Sequence, residues 1–379
     1  MTAPWGPQMS FEAVIEVKLA LAAVRQASTV VSKSTIPVLA FVRLTAGKGR
    51  ITVGATNMNC WLDSAFEAEE AEGDILVPAR ELEAALSVLP AGSQASLVMD
   101  GSRLMLTSGR TKFDLPTLPA ADWPQGAKPE RPVPVIVKAS RFVSSCEHLR
   151  LAISTNPSRY NLTGIYLDFQ GNRMVATNGL IMGWEPGCWA FDEDAAPKRI
   201  TIPGEILNPL KKLFDEVEEC EMLVDHDGAR FTIRTDMQSL TSKVVAGQFP
   251  AYENVVPAKS NHTFRAEKQD LENALKCVGW IADGKSRPVT LDFADGELTL
   301  TAKSAECGSS EDACAARAIV GGDKIKLALE VSQMAWAIST LPVAEAADFI
   351  ILDPLTVVCV VAKGDDERLH QRMLMPIRM

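Results

Sequence analysis

Three segments of the chain repeat one order of positions: an alternating hydrophobic and polar segment, a glycine, and a second alternating segment. The first covers residues 36–44, Gly49 and 51–57; the second covers 163–169, Gly171 and 174–178; the third covers 287–293, Gly296 and 298–304. Alternation with a period of two is typical of half-buried strands, and glycine is typical of tight turns. Each segment therefore predicts a β-hairpin, and recurrence at roughly 125 residues predicts three similar domains.

A second landmark recurs at a similar spacing and predicts a strand that ends where a short helix begins. It starts at Val77-Pro-Ala-Arg-Glu-Leu, at Ile202-Pro-Gly-Glu-Ile-Leu and at Glu330-Val-Ser-Gln-Met-Ala. Ser332 is the N-cap that this pattern favours in the third helix. Pro209 is expected to shorten or kink the second helix, because proline lacks the backbone N–H that continues a helix.

A helix is also predicted before each hairpin, because apolar residues recur there every three or four positions. These stripes are Val14, Val17, Leu21 and Val24; Phe142, Cys146, Leu149 and Ile153; and Leu271, Leu275, Val278 and Ile281. Each repeat therefore reads as an α+β unit in which two helices share one side of an antiparallel sheet. Proline clusters place the boundaries: an extension at 1–10 and domains at 11–130, 131–258 and 259–379.

Composition agrees with a soluble multidomain protein. The 379 residues are 47% hydrophobic and 23% charged. No apolar stretch approaches the ~20 residues of a membrane span, and the first ten residues lack the basic region of a signal peptide, so a cytoplasmic location is expected. The eight cysteines form no CxxC pair and the four histidines are scattered. We therefore expect free thiols, no metal site and no cofactor.

The net charge of −10 argues against a protein that binds nucleic acid over its whole surface. The charge is unevenly distributed, however: residues 11–33 carry +1, residues 141–159 carry +2 and residues 267–287 are neutral. The predicted first helix of each repeat is thus relatively basic on an acidic body. An ordinary solvent-exposed helix face would carry the same charges. The charge distribution therefore indicates a function only in combination with the threefold repeat.

No catalytic motif accompanies these patterns. A Walker loop, GxGxxG, HExxH and GxSxG are all absent, and Lys33-Ser34-Thr35 lacks the preceding glycines of a phosphate-binding loop. The sequence therefore favours a protein that is not an enzyme. A repeat-built scaffold that binds proteins and not DNA remains an alternative.

Five motifs in order resemble one known family, the bacterial DNA polymerase III β subunit or sliding clamp. They are Val77 to Arg80, Phe113 to Pro124, Val175 to Gly179, Phe249 to Tyr252 and Met375 to Met379. The resemblance covers residues 11–379. It implies three similar domains per chain and a head-to-tail homodimeric ring that encircles double-stranded DNA without reading its sequence. The implied partners are the DNA polymerase III α subunit, other polymerases and the clamp loader, with no membrane association.

The resemblance also implies three sets of site residues. Contacts to DNA phosphates are expected from Arg25, Lys33, Arg80, Asn156, Arg159, Lys285 and Arg287. A hydrophobic cleft between the second and third domains, which takes partners' short linear motifs, is expected to involve Leu162, Thr177, Gly179, Leu180, Ile181, Met182, Pro250, Val255, Met373, Met375, Pro376, Ile377, Arg378 and Met379. The dimer contact is expected from Phe113 and Leu115 of one copy and Trp280 and Ile281 of the other, so charged replacements at Trp280 and Ile281 should give monomers.

One departure from the family pattern lies in the cleft. Where the family commonly has His-Arg-Leu after Thr-Asn-Gly, this chain has Leu180-Ile181-Met182. The loss of a polar and a basic group predicts a more apolar cleft with altered partner preference. A specialised second copy of the clamp, on a mobile element or resistant to an inhibitor of the cleft, is therefore an alternative to a main replicative clamp.

Overall fold

The structure, a computed structural model, describes residues 10–31, 34–126, 129–192, 196–257, 259–282, 287–322, 324–342, 346–364 and 369–378. These residues form two compact units. Unit 1 takes its residues from 1–143, 189–198 and 205–244, and unit 2 from 144–188, 199–204 and 245–379. The central repeat is divided between the units, because its two groups of strands join different sheets.

Six α-helices occur in the described part of the chain: α1 Val17–Ser28, α2 Ala79–Ser87, α3 Ala139–Leu149, α4 Leu207–Phe214, α5 Lys268–Gly279 and α6 Val331–Ser339. The strands of unit 1 are β1 Phe11–Glu16, β2 Phe41–Gly47, β3 Arg50–Thr56, β4 Cys60–Glu67, β5 Glu69–Pro78, β6 Gln94–Asp100, β7 Arg103–Ser108, β8 Thr111–Pro116, β9 Leu118–Pro119, β10 Val133–Lys138, β14 Trp189–Ala190, β16 Glu219–Val224, β17 Arg230–Arg234 and β18 Gln238–Lys243. Those of unit 2 are β11 Gly164–Asp168, β12 Arg173–Thr177, β13 Ile181–Pro186, β15 Ile200–Pro203, β19 His262–Glu267, β20 Pro288–Ala294, β21 Glu297–Ser304, β22 Gly308–Val320, β23 Ile325–Glu330, β24 Ala346–Ile351, β25 Val358–Lys363 and β26 Leu369–Leu374.

The strands of unit 1 form one 14-stranded sheet in the order β14-β10-β16-β17-β18-β4-β3-β2-β5-β1-β6-β7-β8, with β9 paired to β5. Every pairing is antiparallel, and helices α1 and α2 pack on one face. Along β2, Val42 and Leu44 are buried on that face, whereas Arg43 is on the opposite face. This alternation is the two-residue period of the sequence, so the helices and the inward side chains together form the core.

Unit 2 contains a 12-stranded sheet in the order β15-β11-β12-β13-β26-β25-β24-β19-β22-β21-β20-β23. Helices α5 and α6 pack against its strands, α5 mainly on β21 and β22 and α6 on β23 and β26. Each sheet thus joins strands of two sequence repeats. In unit 1 the joining pair is β18 with β4, and in unit 2 it is β26 with β13.

All three predicted hairpins are confirmed: β2 pairs with β3, β11 with β12, and β20 with β21. In the first and third the loop is two residues, Lys48-Gly49 and Asp295-Gly296, and all four residues have positive φ. Two consecutive left-handed residues make the tight turn that matches the twist of antiparallel strands, and glycine adopts it without steric cost.

The helix predicted before each hairpin is present, but the strand that precedes it was not predicted. Val14 lies in β1 and not in a helix, and β10 and β19 occupy the same place before α3 and α5. Ile153 also lies beyond the end of α3, after a 3-10 turn at Arg150–Ala152. Where a strand runs directly into a helix, apolar residues spaced by two are followed by apolar residues spaced by three or four. The apolar pattern read from the sequence therefore extends across the boundary between the strand and the helix.

The prediction for the N-cap of the third landmark helix is wrong by two residues. Glu330 is the N-cap of α6: its side chain accepts hydrogen bonds from the backbone N–H groups of Ser332, at 3.1 Å, and Gln333, at 2.9 Å. Ser332 instead donates its hydroxyl to Glu330 at 2.6 Å. A carboxylate is well placed here, because it meets both the free N–H groups and the positive end of the helix dipole. Pro209 lies in the first turn of α4, which has eight residues.

Replacing Glu330 with alanine is expected to lower the free energy of unfolding by about 1 kcal/mol, because two N–H groups at the start of α6 lose their acceptor. Urea denaturation followed by circular dichroism measures the change. Glu306→Ala is the matched control, since Glu306 is an exposed glutamate in a turn. Equal effects of the two substitutions would contradict the capping role of Glu330.

Candidate functional site

In each unit, one strand lacks the pairing that elsewhere joins two repeats within a sheet. At both joining pairs, the last strand of one repeat pairs with the strand that follows the hairpin of the preceding repeat, which is the third strand of that repeat. In unit 1 Leu240 of β18 pairs with Leu62 of β4, and in unit 2 Met373 of β26 pairs with Met182 of β13. The equivalent last strand of the first repeat is β8, which is the edge of its sheet. The equivalent third strand of the last repeat is β22, whose half from Gly308 to Ala315 pairs with β21 on one side only among the described strands.

A hydrophobic cluster in unit 2 forms where β13 and β26 join. Its buried members come from the 3-10 helix at Pro157–Leu162, two strands of the second repeat, two strands of the third repeat and the segment that connects the repeats: Leu162, Val175, Met182, Phe249, Tyr252, Cys359, Val361 and Met373. Three of them, Leu162, Met182 and Met373, were predicted cleft residues. The structure therefore brings together residues that are up to 211 positions apart in sequence.

Aromatic packing and a buried carboxylate fix the connecting segment on this cluster. The rings of Tyr166 and Phe249 stack with centroids 4.7 Å apart, and the hydroxyl of Tyr252 donates to Asp168 at 3.0 Å. Asp168 also lies 2.9 Å from Arg199. Burial, together with the nearby charge of Asp168, raises the pKa of Tyr252 well above its usual range, so the phenol stays protonated. The role of Phe249 and Tyr252 was missed, although both lie in the quoted Phe-Pro-Ala-Tyr motif.

The loop before β13 is held in one conformation by its own side chains. Asn178 accepts hydrogen bonds from the N–H groups of Leu180, at 2.9 Å, and Ile181, at 3.1 Å, while Thr177 donates to the carbonyl of Ile181 at 2.7 Å. Gly179 takes a φ of +90°, which favours glycine. Arg159 donates to the carbonyl of Asn178 at 2.8 Å. Arg159, predicted as a DNA contact, thus lies against the loop of the predicted cleft.

Several predicted cleft residues are exposed. Leu180 is 59% exposed, Val255 45% and Met375 42%. The N–H of Met375 donates to the carbonyl of Leu180 at 3.1 Å, and that of Ile377 to Ala328 at 2.8 Å, so the C-terminal segment is fixed at two points. Pro250 and Arg378 are also exposed, Pro376 and Ile377 are half-buried, and Met379 lies outside the described residues.

The departure Leu180-Ile181-Met182 therefore has unequal consequences. Leu180 adds apolar surface, whereas Ile181 and Met182 are each only 3% exposed. The middle position, at which the family commonly has arginine, holds an apolar side chain packed inside unit 2. A cation is absent from that position, and the exposed apolar surface next to the cluster comes from Leu180.

Beneath the junction of β13 and β26, on the face opposite the cluster, lies a buried ion pair between Glu185 and Arg372. Arg372 is 0% exposed and its guanidinium contacts Glu185, the hydroxyl of Thr340 at 2.9 Å and the carbonyl of Trp184 at 3.1 Å. Nδ1 of His370 lies 2.7 Å from Glu185, and Nδ1 of His148 lies 3.6 Å away. Burial alone raises the pKa of Glu185, but the charge of Arg372 and the two histidines outweigh it and hold this pKa well below its usual range.

The predicted DNA contacts fall into different environments. Arg25, with a side chain 51% exposed, lies 3.4 Å from Glu83, and Arg80 is exposed at the start of α2. Asn156 accepts from the N–H of Ser158 at 2.9 Å, and Arg287 donates to the carbonyls of Ala282 and Gly279 at the end of α5, at 3.0 and 2.9 Å. Lys33 and Lys285 lie outside the described residues.

A cleft of about 760 Å³ between α1 and α4 in unit 1 adds two lysines to this set. Arg25, Lys211 and Lys212 line it, together with Asp215 and Glu216. Both lysines are exposed and lie in the last turn of α4, where they complement the negative end of the helix dipole. Sequence reasoning missed them, although the Lys-Lys pair stands within the second landmark helix.

The predicted dimer residues also differ in exposure. Trp280 is 72% exposed at the end of α5, and Phe113 is half-buried on β8. Leu115 and Ile281 are 7% and 5% exposed, so their side chains already pack inside their own units. Of the four, Trp280 offers by far the largest free apolar surface.

Three of the buried thiols are poor nucleophiles at neutral pH. Burial raises the pKa of Cys60, Cys220 and Cys359 to about 12 in each case, which keeps the thiolate population negligible at neutral pH.

No group of three or more potential metal ligands occurs among the described residues. None of the helices described has both the length and the apolar character to cross a bilayer.

Comparison with known proteins gives one consistent result. Models of the DNA polymerase III beta subunit match residues 11–127 for its N-terminal domain, 136–251 for its central domain and 253–378 for its C-terminal domain. A beta sliding clamp of Caulobacter vibrioides is 30% identical over 302 residues, covering 75% of this chain and 78% of the relative. One from Vibrio cholerae is 27% identical, covering 83% and 85%.

Solved structures give the same fold. The DnaN sliding clamp of Pseudomonas aeruginosa bound to griselimycin has a TM-score of 0.89 at 24% identity, covering 98% of this chain and all (100%) of that chain. The beta sliding clamp of Caulobacter crescentus, with polyethylene glycol bound to its putative beta-motif tethering region, has a TM-score of 0.88 at 25% identity, with 98% and 100% covered.

Proposed function

Since this chain belongs to the DNA polymerase III beta subunit family, the sliding clamps, we propose that two copies close into a ring around duplex DNA and hold polymerases on it. A sliding clamp is a processivity factor and not a catalytic enzyme. Retention by a closed ring comes from topology, so the protein needs no strong affinity for DNA. A net charge of −10 is compatible with that mechanism.

The free edges of β8 and β22 carry the proposal. Within the chain, each last strand of a repeat pairs with the third strand of the repeat before it, as β18 does with β4 and β26 does with β13. Only β8 and the first half of β22 lack such a partner among the described strands. A second copy supplies both missing pairings at once, head to tail, which closes the assembly into a ring.

Sequence-independent contact with DNA would come from basic side chains on the helices. Arg25, Arg80, Lys211 and Lys212 are exposed on α1, α2 and α4 of unit 1, and cations there attract phosphates without reading bases. Lys33 and Lys285 remain candidates from the sequence. Asn156, Arg159 and Arg287 make intramolecular hydrogen bonds of 2.8 to 3.0 Å, shorter than the 3.4 Å contact of Arg25 with Glu83, so their contribution to DNA binding is proposed to be smaller.

The cluster beside Leu180 and Met375 is the proposed site for short linear motifs of partners. An extended apolar peptide suits weak, exchangeable binding, and methionines adapt to different side chains. The polymerase III α subunit, other polymerases and the clamp loader are the proposed partners. The exposed Leu180, at a position where the family commonly has histidine, favours a second candidate function: a specialised clamp copy with altered partner preference.

Loading on circular and linear DNA tests the clamp function. Nicked circular DNA is incubated with the protein, a clamp loader and ATP, and the complex is isolated by gel filtration before and after linearisation. We expect protein to stay on circles and to be lost from linear DNA by sliding off the ends. Equal retention on both would indicate ordinary binding, and retention on neither would favour a scaffold without DNA.

Replacing Leu180 with aspartate is expected to weaken binding of an apolar clamp-binding peptide about tenfold, because a hydrated carboxylate replaces contact surface worth about 1.4 kcal/mol. Folding should be unaffected, since Leu180 is 59% exposed. Fluorescence anisotropy of a labelled peptide measures the affinity. Leu355→Asp, at a leucine 65% exposed in a turn, is the control, and an unchanged affinity for Leu180→Asp would remove this residue from the site.

A further inference from the structure

Repeats meet at three kinds of junction, and two of them lie within the chain. In unit 1, β4 pairs with β18, and in unit 2, β13 pairs with β26. The third is the junction between copies, which exists only if the proposed ring does, and there β22 of one copy pairs with β8 of the other. Because the strands correspond from repeat to repeat, the internal junctions show which residues meet between the copies.

The side chain of Asp312 occupies the place that Glu185 has in unit 2 and Ser64 in unit 1. Each of the three residues lies on the strand after its hairpin and faces the first helix of its repeat. Their partners on the preceding strand hold one place in the repeat, two residues before Ala55, Ala176 and Ala302: Val53, Met174 and Leu300.

In unit 2 the carboxylate at this place is surrounded by basic side chains. Nδ1 of His148, on α3, lies 3.6 Å from Glu185. On β26, Nδ1 of His370 lies 2.7 Å away, and Arg372 forms the buried ion pair. A buried carboxylate keeps its charge at neutral pH only with such partners, because removal from water disfavours the charged form.

On the helix side of the junction between copies, Cys277 takes the place of His148. Each is the tenth residue of its helix. A hydrogen bond with Asp312 raises the pKa of the Cys277 thiol, and the hydroxyl of Ser310 donates to the carbonyl of Cys277 at 3.2 Å. This end of α5 therefore packs on the free half of β22, and the counterpart of the imidazole beside Glu185 is an uncharged thiol.

On the strand side, the partner's Phe113 takes the place of Arg372, and the partner's Thr111 takes the place of His370. The same path through the sheet leads to Phe113 and to Arg372, from four residues before the first helix across three strand pairs: Ala13, Leu97, Leu106 and Phe113 in the first repeat, and Phe264, Phe349, Val360 and Arg372 in the third. Neither phenylalanine nor threonine can carry a positive charge.

The junction within unit 1 shows a neutral alternative. There Ser64 donates to Gln26 at 2.6 Å, and Gln238 of β18 is its cross-strand neighbour. The internal junctions are thus balanced, one by neutral hydrogen-bonding groups and the other by opposite charges. The junction between copies would instead bury the carboxylate of Asp312 with uncharged side chains at all three corresponding positions.

Other charged groups face this junction from the surrounding elements, and negative charge predominates near Asp312. Burial, together with the charges of Asp270 on α5 and of Asp312, raises the pKa of Cys314 to about 11. Lys276 is exposed on α5. The α2 helix of the partner adds the partner's Arg80 and the partner's Glu83, of which Glu83 lies 3.4 Å from Arg25 in its own chain.

We propose that Asp312 makes closure of the ring sensitive to protons. When two copies join, water is removed from its carboxylate, which disfavours the charged form and favours the protonated one. The closed junction therefore binds a proton more tightly than the open one, so closure takes up a proton and the pair becomes tighter as the pH falls. At neutral pH the uncompensated charge keeps the association weak enough for the ring to be opened.

Sedimentation of the full-length protein at about pH 8 and about pH 6 tests the proposal. We expect the dissociation constant of the pair to fall on acidification by about tenfold for each junction, and so by about a hundredfold for the two junctions of a closed ring. Acidification also reduces the net charge of −10, which lowers the general repulsion between copies. Variants at single carboxylates separate the two effects.

Asp312→Asn should pair about a hundredfold more tightly than the parent at about pH 8 and lose most of the pH dependence. Asp312→Ser, which reproduces Ser64 of the neutral junction, should do the same. Asp100→Asn, at an exposed carboxylate on β6, changes the net charge equally and is the control. A pH dependence that survives in Asp312→Asn, or an equal effect of Asp100→Asn, would overturn the role of Asp312 and leave the ring intact. A parent chain that forms no pair at either pH would overturn the proposed ring and this contact with it.

Discussion

A Trp280→Asp variant is expected to sediment as a single chain at concentrations where the parent chain forms a pair. Trp280 ends α5 and is 72% exposed. The same end of the helix adjoins the free half of β22, since the hydroxyl of Ser310 donates to the carbonyl of Cys277 at 3.2 Å. A large indole beside an unpaired strand edge is the kind of anchor that dominates the free energy of an interface.

The contact of Trp280 in the partner can be inferred from unit 1. There the C-caps of α1 and α4, Thr29 and Asp215, line one cleft. The equivalent C-caps at the proposed junction between copies are Trp280 of α5 and Val88 of α2, and Val88 is 70% exposed. We therefore expect Trp280 to pack on the partner's Val88, a residue that sequence reasoning did not assign to the interface.

Loss of such an anchor weakens association by about 2 to 4 kcal/mol, or roughly 30- to 1000-fold in the dissociation constant. Analytical ultracentrifugation over a concentration series measures it, and Val88→Asp should act in the same direction. Leu355→Asp is the control for an exposed leucine outside the proposed interface. Only Trp280 is changed on α5, because a charge at the buried Ile281 would destabilise the fold. A Trp280→Asp chain that stays paired would refute the assignment.

An Arg372→Met variant is expected to lose about 3 to 5 kcal/mol of unfolding free energy at neutral pH, because it leaves the carboxylate of Glu185 buried without its cation. Glu185 and Arg372 are both 0% exposed. The ion pair joins β13 to β26, directly behind the cluster proposed to bind partners. The double variant Glu185→Gln with Arg372→Met should recover part of the loss, since no buried charge then remains.

The effect of Arg372→Met should depend on pH in a defined direction. The pKa of Glu185 in the folded parent lies below its unfolded value of 4.5, so the pair's stabilisation is complete above that value and is lost as the pH falls below it. In the variant, burial without the cation raises the pKa of Glu185, so the carboxyl becomes neutral in mild acid. The difference between parent and variant should therefore shrink on acidification. Urea denaturation at neutral and acidic pH measures it, and a constant difference would contradict the role of Glu185.

The sequence predicted those elements whose contacts are local. Lys48-Gly49 and Asp295-Gly296 turn their hairpins through residues next to the strands they join, so a glycine between two alternating segments was sufficient. The landmark helices were predicted for the same reason, because a strand end and an apolar stripe are both visible within ten or so residues. The repeat then implied three domains, since like sequences bury like faces.

The cleft residues were predicted only through the family resemblance, and that prediction left out some residues of the hydrophobic cluster. Leu162, Met182 and Met373 do share one cluster, but Phe249 and Tyr252, which also form it, were quoted as a motif without a role. The predicted DNA contacts Asn156, Arg159 and Arg287 proved to hydrogen-bond within the chain. Position in a motif does not reveal whether a side chain faces solvent, a loop carbonyl or a helix end.

The sequence by itself determined the threefold repeat, the hairpins, the short helices and the uneven distribution of charge. Tertiary structure alone decided which strands lie beside one another, and so which side chains meet. Glu185 and Arg372 are 187 residues apart, and the pairing of β13 with β26 makes them partners. The physical reason is register: strand alternation sends Met373 to the cluster and Arg372 to the opposite face, and a shift of one residue would exchange them.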